Sequence, residues 1–319
     1  ITFTSGSTGK PKAYKKYWGD LIQSIELASK RFKLTDKLYQ IVATVPAQHM
    51  YGLETSVLYP MLTGCAIYGD RPFFPADINQ VFNQIQQPAI LVTTPVHLRA
   101  CISANLKWRN IEFVISATSP LSVSIAQQAH KTMDTRVEEI FGCTEAGSIA
   151  SRETLNTDIW VVFSSFSLSA NHGITQIDAP CLREPVNLHD NIKLINEHQF
   201  LHRGRNEDMI NIGGKRGSLA DLNLKLQALE NVEAGTFFLP ENQCKDQQCA
   251  IDRLMAFVVA PNIDEKEIIN ALAQKIDPVF LPRPLYKVDQ LPYNETGKLT
   301  LEALNKLHQQ LRQLHLPQN

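Results

Sequence analysis

Near its beginning the chain reads Ile1-Thr2-Phe3-Thr4-Ser5-Gly6-Ser7-Thr8-Gly9-Lys10-Pro11-Lys12, so hydroxyl, glycine and lysine residues follow an apolar start. Such a run is suited to wrapping backbone N–H groups, hydroxyls and ammonium groups around phosphate oxygens, because glycine lets the main chain approach closely. It differs from the common NTPase loop, since no glycine precedes Gly9-Lys10 at the required spacing and Pro11 follows the lysine. Taken alone, the run is also compatible with a flexible serine/glycine linker.

Three later segments favour the phosphate-binding interpretation. They read Phe141-Gly142-Cys143-Thr144-Glu145, Gly204-Arg205-Asn206-Glu207-Asp208-Met209-Ile210-Asn211-Ile212-Gly213-Gly214-Lys215-Arg216, and Leu291-Pro292-Tyr293-Asn294-Glu295-Thr296-Gly297-Lys298. In this order, the four segments resemble the adenylate-forming (AMP-binding) superfamily of acyl- and aryl-CoA ligases, luciferases and peptide-synthetase adenylation domains. The resemblance implies an α/β fold, with a large mixed or parallel-sheet domain, flanking helices and a small mobile α+β C-terminal lid. Family members carry a long stretch before the first loop, so we expect this chain to lack the N-terminal part of that domain.

Composition is typical of an ordinary globular protein. A length of 319 residues suggests about two domains. The 31 basic and 32 acidic residues leave no basic excess for nucleic acid. No apolar run approaches the roughly 18 residues that span a bilayer, no signal peptide is visible, and the six cysteines lack metal-type spacing. We therefore expect a cytoplasmic protein with free thiols, no transmembrane segment and no nucleic-acid partner.

Hydrophobic spacing predicts strands that alternate with helices, which favours a largely parallel sheet. In the first part of the chain, the predicted helices are 18–32, 77–86, 94–104 and 121–132, and the predicted strands are 39–45, 89–93, 111–117, 135–140 and 159–168. Beyond a polar segment at 204–208, the predicted helices are 219–230, 264–275 and 301–314, the predicted strands are 235–239 and 255–260, and 241–248 is a predicted exposed loop. We predict an AMP-binding core at 1–205 and a lid domain at 206–319.

The resemblance also implies a nucleotide site. The β- and γ-phosphates of ATP would be bound by Thr4, Ser5, Gly6, Ser7, Thr8, Gly9 and Lys12. Glu145 would be the Mg²⁺ ligand, because magnesium takes one or two carboxylates together with phosphate oxygens and water. Thr144 would donate to the α-phosphate and Phe141 would stack on adenine. Without its motif, Glu145 would be read as a solvated loop acid.

Asp190 and Arg205 complete this site by resemblance. Asp190 would accept hydrogen bonds from both ribose hydroxyls, since a carboxylate offers the acceptors that a vicinal diol requires. His189 stands where the family has glycine, so a surface acid is the alternative interpretation of Asp190. Arg205 would contact ribose or phosphate.

Two lysines are expected to serve the two half-reactions. Lys298 would neutralise charge in the adenylation transition state, where losing one such donor typically costs ~10²–10³ in rate. In the family the lid then rotates about a hinge, here Glu207, and presents the segment around Lys215 to a pantetheine arm. A simple β-turn at Gly213-Gly214 is compatible with the same residues.

The acid pocket of the family corresponds to segments 46–54, 88–96, 115–120 and 141–149. They contribute His49, Met50, Tyr51, Val96, Ala117, Ser119, Gly142 and Ile149. Of these, we take His49, Tyr51, Ala117 and Gly142 as candidate substrate-binding residues. The absence of a fixed positive charge from this set favours an apolar or aromatic monoacid. Peptide-synthetase domains have an aspartate near 49–50, which this chain lacks, although His49 is also compatible with a packed core histidine.

These assignments predict an acid–thiol ligase that uses ATP, Mg²⁺ and CoA. It would convert a carboxylic acid to an acyl-adenylate with release of pyrophosphate, and then transfer the acyl group to CoA. One alternative is an adenylation domain that loads the phosphopantetheine of an acyl carrier protein. Another is a degenerate nucleotide-binding module without catalysis.

Overall fold

A computed structural model describes residues 1–3, 13–171, 174–205, 208–240, 254–294 and 297–314. The chain divides into two compact units, Ile1–His202 with Glu295–Lys298, and Arg203–Asn294 with Leu299–Asn319. The division into functional domains at 205/206 stays a prediction. Among the described residues, no helix is both long enough and apolar enough to cross a membrane.

The first unit is a mixed α/β structure. Its strands are β1 Thr2–Phe3, β2 Ala13–Tyr14, β3 Gln40–Ala43, β4 Ala66–Ile67, β5 Ala89–Thr93, β6 Ile111–Ser116, β7 Arg136–Cys143, β8 Gly147–Glu153, β9 Ile159–Val162, β10 Ser167–Asn171, β11 Ile174–Asp178, β12 Val186–Leu188, β13 Asp190–Asn196 and β14 Gln199–Arg205. Its helices are α1 Trp18–Phe32, α2 Met50–Gly52, α3 Tyr59–Thr63, α4 Pro75–Gln84, α5 Pro95–Ser103 and α6 Val123–Met133, and a π-helical segment, Leu53–Leu58, joins α2 to α3.

The main sheet has the strand order β13-β14-β9-β8-β7-β6-β5-β3-β4. From β4 to β7 neighbouring strands are parallel, whereas β7, β8 and β9 are antiparallel. β10, β11 and β12 form a separate antiparallel sheet, and β1 pairs with β2. The predicted mixed sheet with flanking helices is therefore confirmed.

Helices cover both faces of the parallel strands, which explains why these strands are apolar on both sides. In β5, Ile90 and Val92 face one core while Ala89 and Leu91 face the other. The first core also contains the apolar face of α1, and the second contains apolar residues of α4, α5 and α6.

The predicted helices of this unit are confirmed, with ends that differ by a few residues. Proline stands in the first turn of α4 and α5, where the missing N–H costs no hydrogen bond. The side chain of Thr94 caps α5 by accepting from the amide of His97 at 3.4 Å, and that of Ser122 caps α6 by accepting from Ile125 at 3.3 Å.

The single strand predicted at 159–168 is wrong. The chain turns at 164–165 between β9 and β10, and Ser165 has a φ of 69°. Phe163 and Phe166, on either side of the turn, are both buried. The apolar character of this run therefore comes partly from two buried phenylalanines that flank a turn. Composition alone does not distinguish this arrangement from one continuous strand.

The second unit is a smaller α+β structure. Its strands are β15 Met209–Ile212, β16 Lys215–Ser218, β17 Ala234–Phe238, β18 Met255–Val259 and β19 Leu285–Lys287, and its helices are α7 Leu219–Gln227, α8 Glu265–Ala273 and α9 Leu301–Leu314. β15 and β16 form a hairpin, while β17, β18 and β19 form a sheet in that order. The three helices and strands β17 and β18 match the predicted ones closely, whereas β15, β16 and β19 were not predicted. The loop predicted at 241–248 lies outside the described residues.

Candidate nucleotide site

The candidate site of the first unit begins at the carboxyl ends of its parallel strands, where α/β sheets usually bind ligands. Tyr51, in α2, connects the predicted acid-pocket segment to this edge. Its hydroxyl lies 3.1 Å from the carbonyl oxygen of Thr93 and 2.9 Å from that of Ile115, near the ends of β5 and β6. Ala117 follows β6 directly and is buried. Tyr51 therefore ties the 46–54 segment to the sheet edge through its hydroxyl.

Glu145 lies in the tight turn at 144–146 between β7 and β8. Cys143 pairs with Gly147 across the turn, and the strand register shifts between Phe141 and Gly142. A Cβ on Gly142 would overlap the carbonyl group of Gly147, and Gly147 itself has a φ of 82°. Glycine is thus required at both positions, because one allows close backbone approach and the other allows the left-handed conformation. Thr144 is in the same turn.

Tyr14 and Lys16, which lie just beyond the predicted phosphate loop, both contact Glu145. The Lys16 ammonium donates to the main-chain oxygen of Glu145 at 2.7 Å. The Tyr14 hydroxyl bonds the Glu145 carboxylate, and this bond, together with burial and the charge of Glu145, raises the pKa of the phenol to about 12. Burial lowers the pKa of Lys16, while the charge of Glu54 opposes that shift. The carboxylate and the carbonyl of Glu145 therefore have different partners.

Glu54 lies near the end of this turn, within the π-helical segment. Only 1% of its surface is exposed. Its carboxylate accepts from the Ser148 amide at 3.1 Å and from the Ser148 hydroxyl at 2.5 Å. Burial raises the pKa of Glu54, and the hydrogen bonds from Ser148 oppose the shift. The segment from α2 to α3 is thereby linked to the first residues of β8.

The candidate adenosine-binding residues form a second group, built around aromatic rings. The Phe141 ring lies with its centroid 5.7 Å from Trp160, 5.3 Å from Phe200 and 5.4 Å from His202. His202 Nε2 is 2.9 Å from Oδ1 of Asp190. The structure therefore brings Phe141 and Asp190, which are 49 positions apart in sequence (141 and 190), into one cluster through His202.

A threonine–histidine network lies at the same edge of the sheet. His97 Nδ1 is 3.0 Å from the Thr44 hydroxyl, which is 2.9 Å from the Thr93 hydroxyl. The Phe73 ring packs edge-on against His97 at 4.7 Å. Burial, and secondarily the charge of Arg71, lower the pKa of His97. The histidine is therefore favoured in its neutral form.

Several predicted site residues cannot be placed. The phosphate-loop residues Thr4, Ser5, Gly6, Ser7, Thr8, Gly9 and Lys12, and the hinge residue Glu207, lie outside the described residues. The strands on either side of the phosphate loop pair, with Phe3 opposite Ala13. Arg205 ends β14, and its side chain is also outside the described part of the structure.

The remaining predicted residues can be placed. His49 precedes α2 and is half-buried. Lys298 belongs to the first unit, next to Gly297, whose added Cβ would lie 3.0 Å from the Thr94 hydroxyl. In the second unit Lys215 bonds Asp277 at 2.5 Å. It follows Gly213 and Gly214, which have φ values of 58° and 79° and form the tight turn of the β15–β16 hairpin.

A single carboxylate in a turn suits one kind of metal. In the described part of the chain, no three His, Cys, Asp or Glu side chains are grouped as metal ligands. Glu145 is half-buried, and its main-chain oxygen accepts from Lys16, which follows the predicted phosphate loop in sequence. Such a donor set fits Mg²⁺, which binds through one or two carboxylates and nucleotide phosphates and keeps several waters.

Sequence reasoning did not find Tyr14, Lys16, Glu54, Ser148 or His202. One signal was available: Glu54 stands within the largely apolar stretch 50–62, and a charge in such a stretch needs a partner. The other four residues reach the site through contacts between distant parts of the sequence, such as the contact of Lys16 with Glu145, and no local pattern indicates such contacts.

Sequence comparison identifies the family of this chain. The sequence model of the AMP-binding enzyme family matches residues 1–166, more than half of the 319 residues. The chain belongs to this family.

Individual relatives are distant. The chain is 24% identical to a 4-coumarate–CoA ligase of Halorhodospira halophila, over 94% of this chain and 74% of the relative. It is 19% identical to a 3,4-dihydroxybenzoate–aryl-carrier-protein ligase of Bacillus anthracis, over 95% of this chain and 73% of the relative. Among solved structures, ATP-bound MatB of Rhodopseudomonas palustris matches with a TM-score of 0.81 and 16% identity, over 98% of this chain and 68% of that one. This last likeness shows the fold.

Proposed function

We propose that this chain activates a carboxylic acid with ATP and transfers the acyl group to a thiol, as an AMP-forming acid–thiol ligase. The observation that carries the proposal is the Glu145 turn, which lies at the end of β7 in a chain of the AMP-binding enzyme family. An aryl or apolar acyl acid is favoured, because Ala117 is buried at this edge and Tyr51 bonds main-chain oxygens.

In the first half-reaction a carboxylate oxygen of the acid attacks the α-phosphorus of ATP. The bond between the α-phosphorus and the bridging oxygen breaks, and pyrophosphate leaves. Bound Mg²⁺ would neutralise charge on the phosphate oxygens, and Glu145 would hold it. Thr144 would donate to the α-phosphate, and Lys298 would supply a positive charge where negative charge develops.

The nucleotide is oriented by the residues around Phe141. Adenine would stack on the Phe141 ring, which is braced by the buried rings of Trp160 and Phe200. Asp190 would accept hydrogen bonds from the ribose hydroxyls while its Oδ1 also accepts from His202, since a carboxylate offers about four lone-pair sites.

In the second half-reaction a thiolate attacks the acyl carbon, the bond between that carbon and the phosphate oxygen breaks, and AMP leaves with that oxygen. We assign Lys215 and the glycine turn before it to the approach of a pantetheine arm. Coenzyme A is the favoured acceptor. The relative from Bacillus anthracis, described as an aryl-carrier-protein ligase, supports a phosphopantetheine carrier protein as a second candidate.

Acid-dependent exchange of label between pyrophosphate and ATP tests the proposal. The substrate panel comprises aryl, short aliphatic and long aliphatic acids. We expect exchange with one class and a loss of about 10²–10³ in Lys298→Ala. The control is Lys225→Ala, because Lys225 forms an exposed ion pair with Asp221 at 2.8 Å.

The outcomes separate the candidates. Thioester formation with CoA or with a phosphopantetheinylated carrier protein identifies the acceptor. ATP binding without exchange for any acid would contradict the ligase proposal and favour a non-catalytic nucleotide-binding module.

A further inference from the structure

We propose that Glu54 and Lys16 are positioning residues for the cation that accompanies the nucleotide, because Lys16 bonds the Glu145 turn and Glu54 bonds the start of the strand that follows it. This inference rests on the proposed function. Neither residue belongs to the four motifs, and neither contacts the Glu145 carboxylate in the described hydrogen bonds. Lys16 acts on the turn through the main-chain oxygen of Glu145, and Glu54 acts through Ser148 at the start of β8.

Glu54 fixes the side of the turn that leads into β8. Its carboxylate accepts from both the amide and the hydroxyl of Ser148. The carboxylate can come this close because Gly147 has no side chain, and a Cβ at that position would overlap Oε1 of Glu54. Hydrogen bonds to a charged acceptor are the stronger kind. Ser148, three residues after Glu145, is therefore held firmly.

Lys16 fixes Glu145 itself. Its ammonium donates at 2.7 Å to the main-chain oxygen, whereas the carboxylate, which bonds the Tyr14 hydroxyl and the Cys143 thiol, would hold the cation. Lys16 follows β2, directly beyond the predicted phosphate loop. The same lysine therefore connects the strand after the phosphate loop with the turn that carries the metal ligand.

The chemistry of this cluster points to function. Withdrawing a carboxylate and an ammonium from water costs stability, and apolar residues of similar volume are often as stabilising. Glu54 also lies in a π-helical segment, Leu53–Leu58, a rare conformation that occurs frequently at functional sites. Outer residues that orient a metal ligand typically contribute 10–100-fold to metal affinity or activity.

The test measures how much Mg²⁺ improves ATP binding to the full chain. Isothermal titration gives the Kd for ATP with excess MgCl₂ and with EDTA, and the ratio of the two is the metal-dependent gain. We expect Lys16→Met and Glu54→Met to reduce this gain by about 10–100-fold. Lys16→Arg keeps a donor and Glu54→Gln keeps an acceptor, so both should retain most of the gain.

The matched control is another buried carboxylate, Glu139, which accepts from the Leu121 amide and from Arg152. Glu139→Gln should lower thermal stability and leave the metal-dependent gain unchanged. If Glu54→Met does not fold, the half-buried Lys16 provides the test alone.

Two results would overturn the inference in different ways. If Lys16→Met and Glu54→Met lose stability but keep the wild-type gain, the two residues are merely structural and the proposed function stands. If ATP binding to the wild-type chain does not respond to Mg²⁺, the positioning role and the proposed function both fail.

Discussion

Replacing Gly147 with alanine should destabilise the first unit far more than the same change at Gly64. Both glycines are left-handed, with φ values of 82° and 79°. An added Cβ at Gly64 meets nothing within 4 Å, whereas at Gly147 it overlaps the carboxylate of Glu54. The pair therefore separates backbone strain from the steric cost of moving Glu54.

The magnitude follows from two contributions. Left-handed backbone costs a non-glycine residue roughly 1–2 kcal/mol, and this applies at both positions. At Gly147 the displaced carboxylate also loses its hydrogen bonds to Ser148, and hydrogen bonds to charged groups contribute about 1.5–3 kcal/mol. Alanine also lowers the conformational entropy of the unfolded chain, and this contribution cancels when the two variants are compared. We expect about 1–2 kcal/mol for Gly64→Ala and about 3–5 kcal/mol for Gly147→Ala.

Tryptophan fluorescence during urea unfolding is the assay. The three tryptophans, Trp18, Trp108 and Trp160, all belong to the first unit, so the signal reports that unit alone. Equal losses of unfolding free energy in the two variants would refute the reasoning, because they would mean that Glu54 does not occupy the space beside Gly147.

Three further predictions use the same unit or the proposed chemistry. The pKa of His97 is lowered from 6.5 by burial, so the unfolded chain binds more protons near pH 6. The free energy of unfolding should therefore fall as the pH drops below 6.5, and it should fall less steeply in His97→Asn. Urea unfolding at about pH 7.5 and about pH 5.5 measures this difference. Arg152→Met leaves the buried Glu139 without its cation and should cost about 3–5 kcal/mol by the same assay, whereas the exposed Lys37→Met should change little. Lys215→Ala should leave pyrophosphate exchange within a few-fold of wild type and slow thioester formation. Equal loss of both activities would contradict its assignment to the second half-reaction.

Helices and buried strands were predictable because their patterns are local. Leu21, Ile22, Ile25, Ala28 and Phe32 recur at helical spacing, and the helix found there is Trp18–Phe32. Strand Ala89–Thr93 is apolar throughout, as a strand covered on both faces should be.

The helical stretch from Met50 to Thr63 and strand β8 were not predicted. In the first, a π-helical portion, Leu53–Leu58, disturbs the helical periodicity. The second, Gly-Ser-Ile-Ala-Ser-Arg-Glu, has small and polar residues, and its place in the sheet is set by pairing with β7.

For the candidate site, the motifs predict Glu145 as a site residue, whereas its contacts with Tyr14 and Lys16 are visible only in the structure. The contact of Lys16 with Glu145 spans 129 positions, and that of Glu54 with Ser148 spans 94. No local pattern specifies such pairs, because they follow from sheet order and from the glycine turn.

The most direct test of the central claim follows the oxygen that forms the acyl-adenylate. The chain is incubated with ATP, Mg²⁺, CoA and the acid that gives the fastest exchange, labelled with ¹⁸O in its carboxylate. Mass spectrometry then measures the AMP. If the carboxylate attacks the α-phosphorus, AMP gains one ¹⁸O atom for each thioester formed. AMP without label, or ADP as the nucleotide product, would contradict the account.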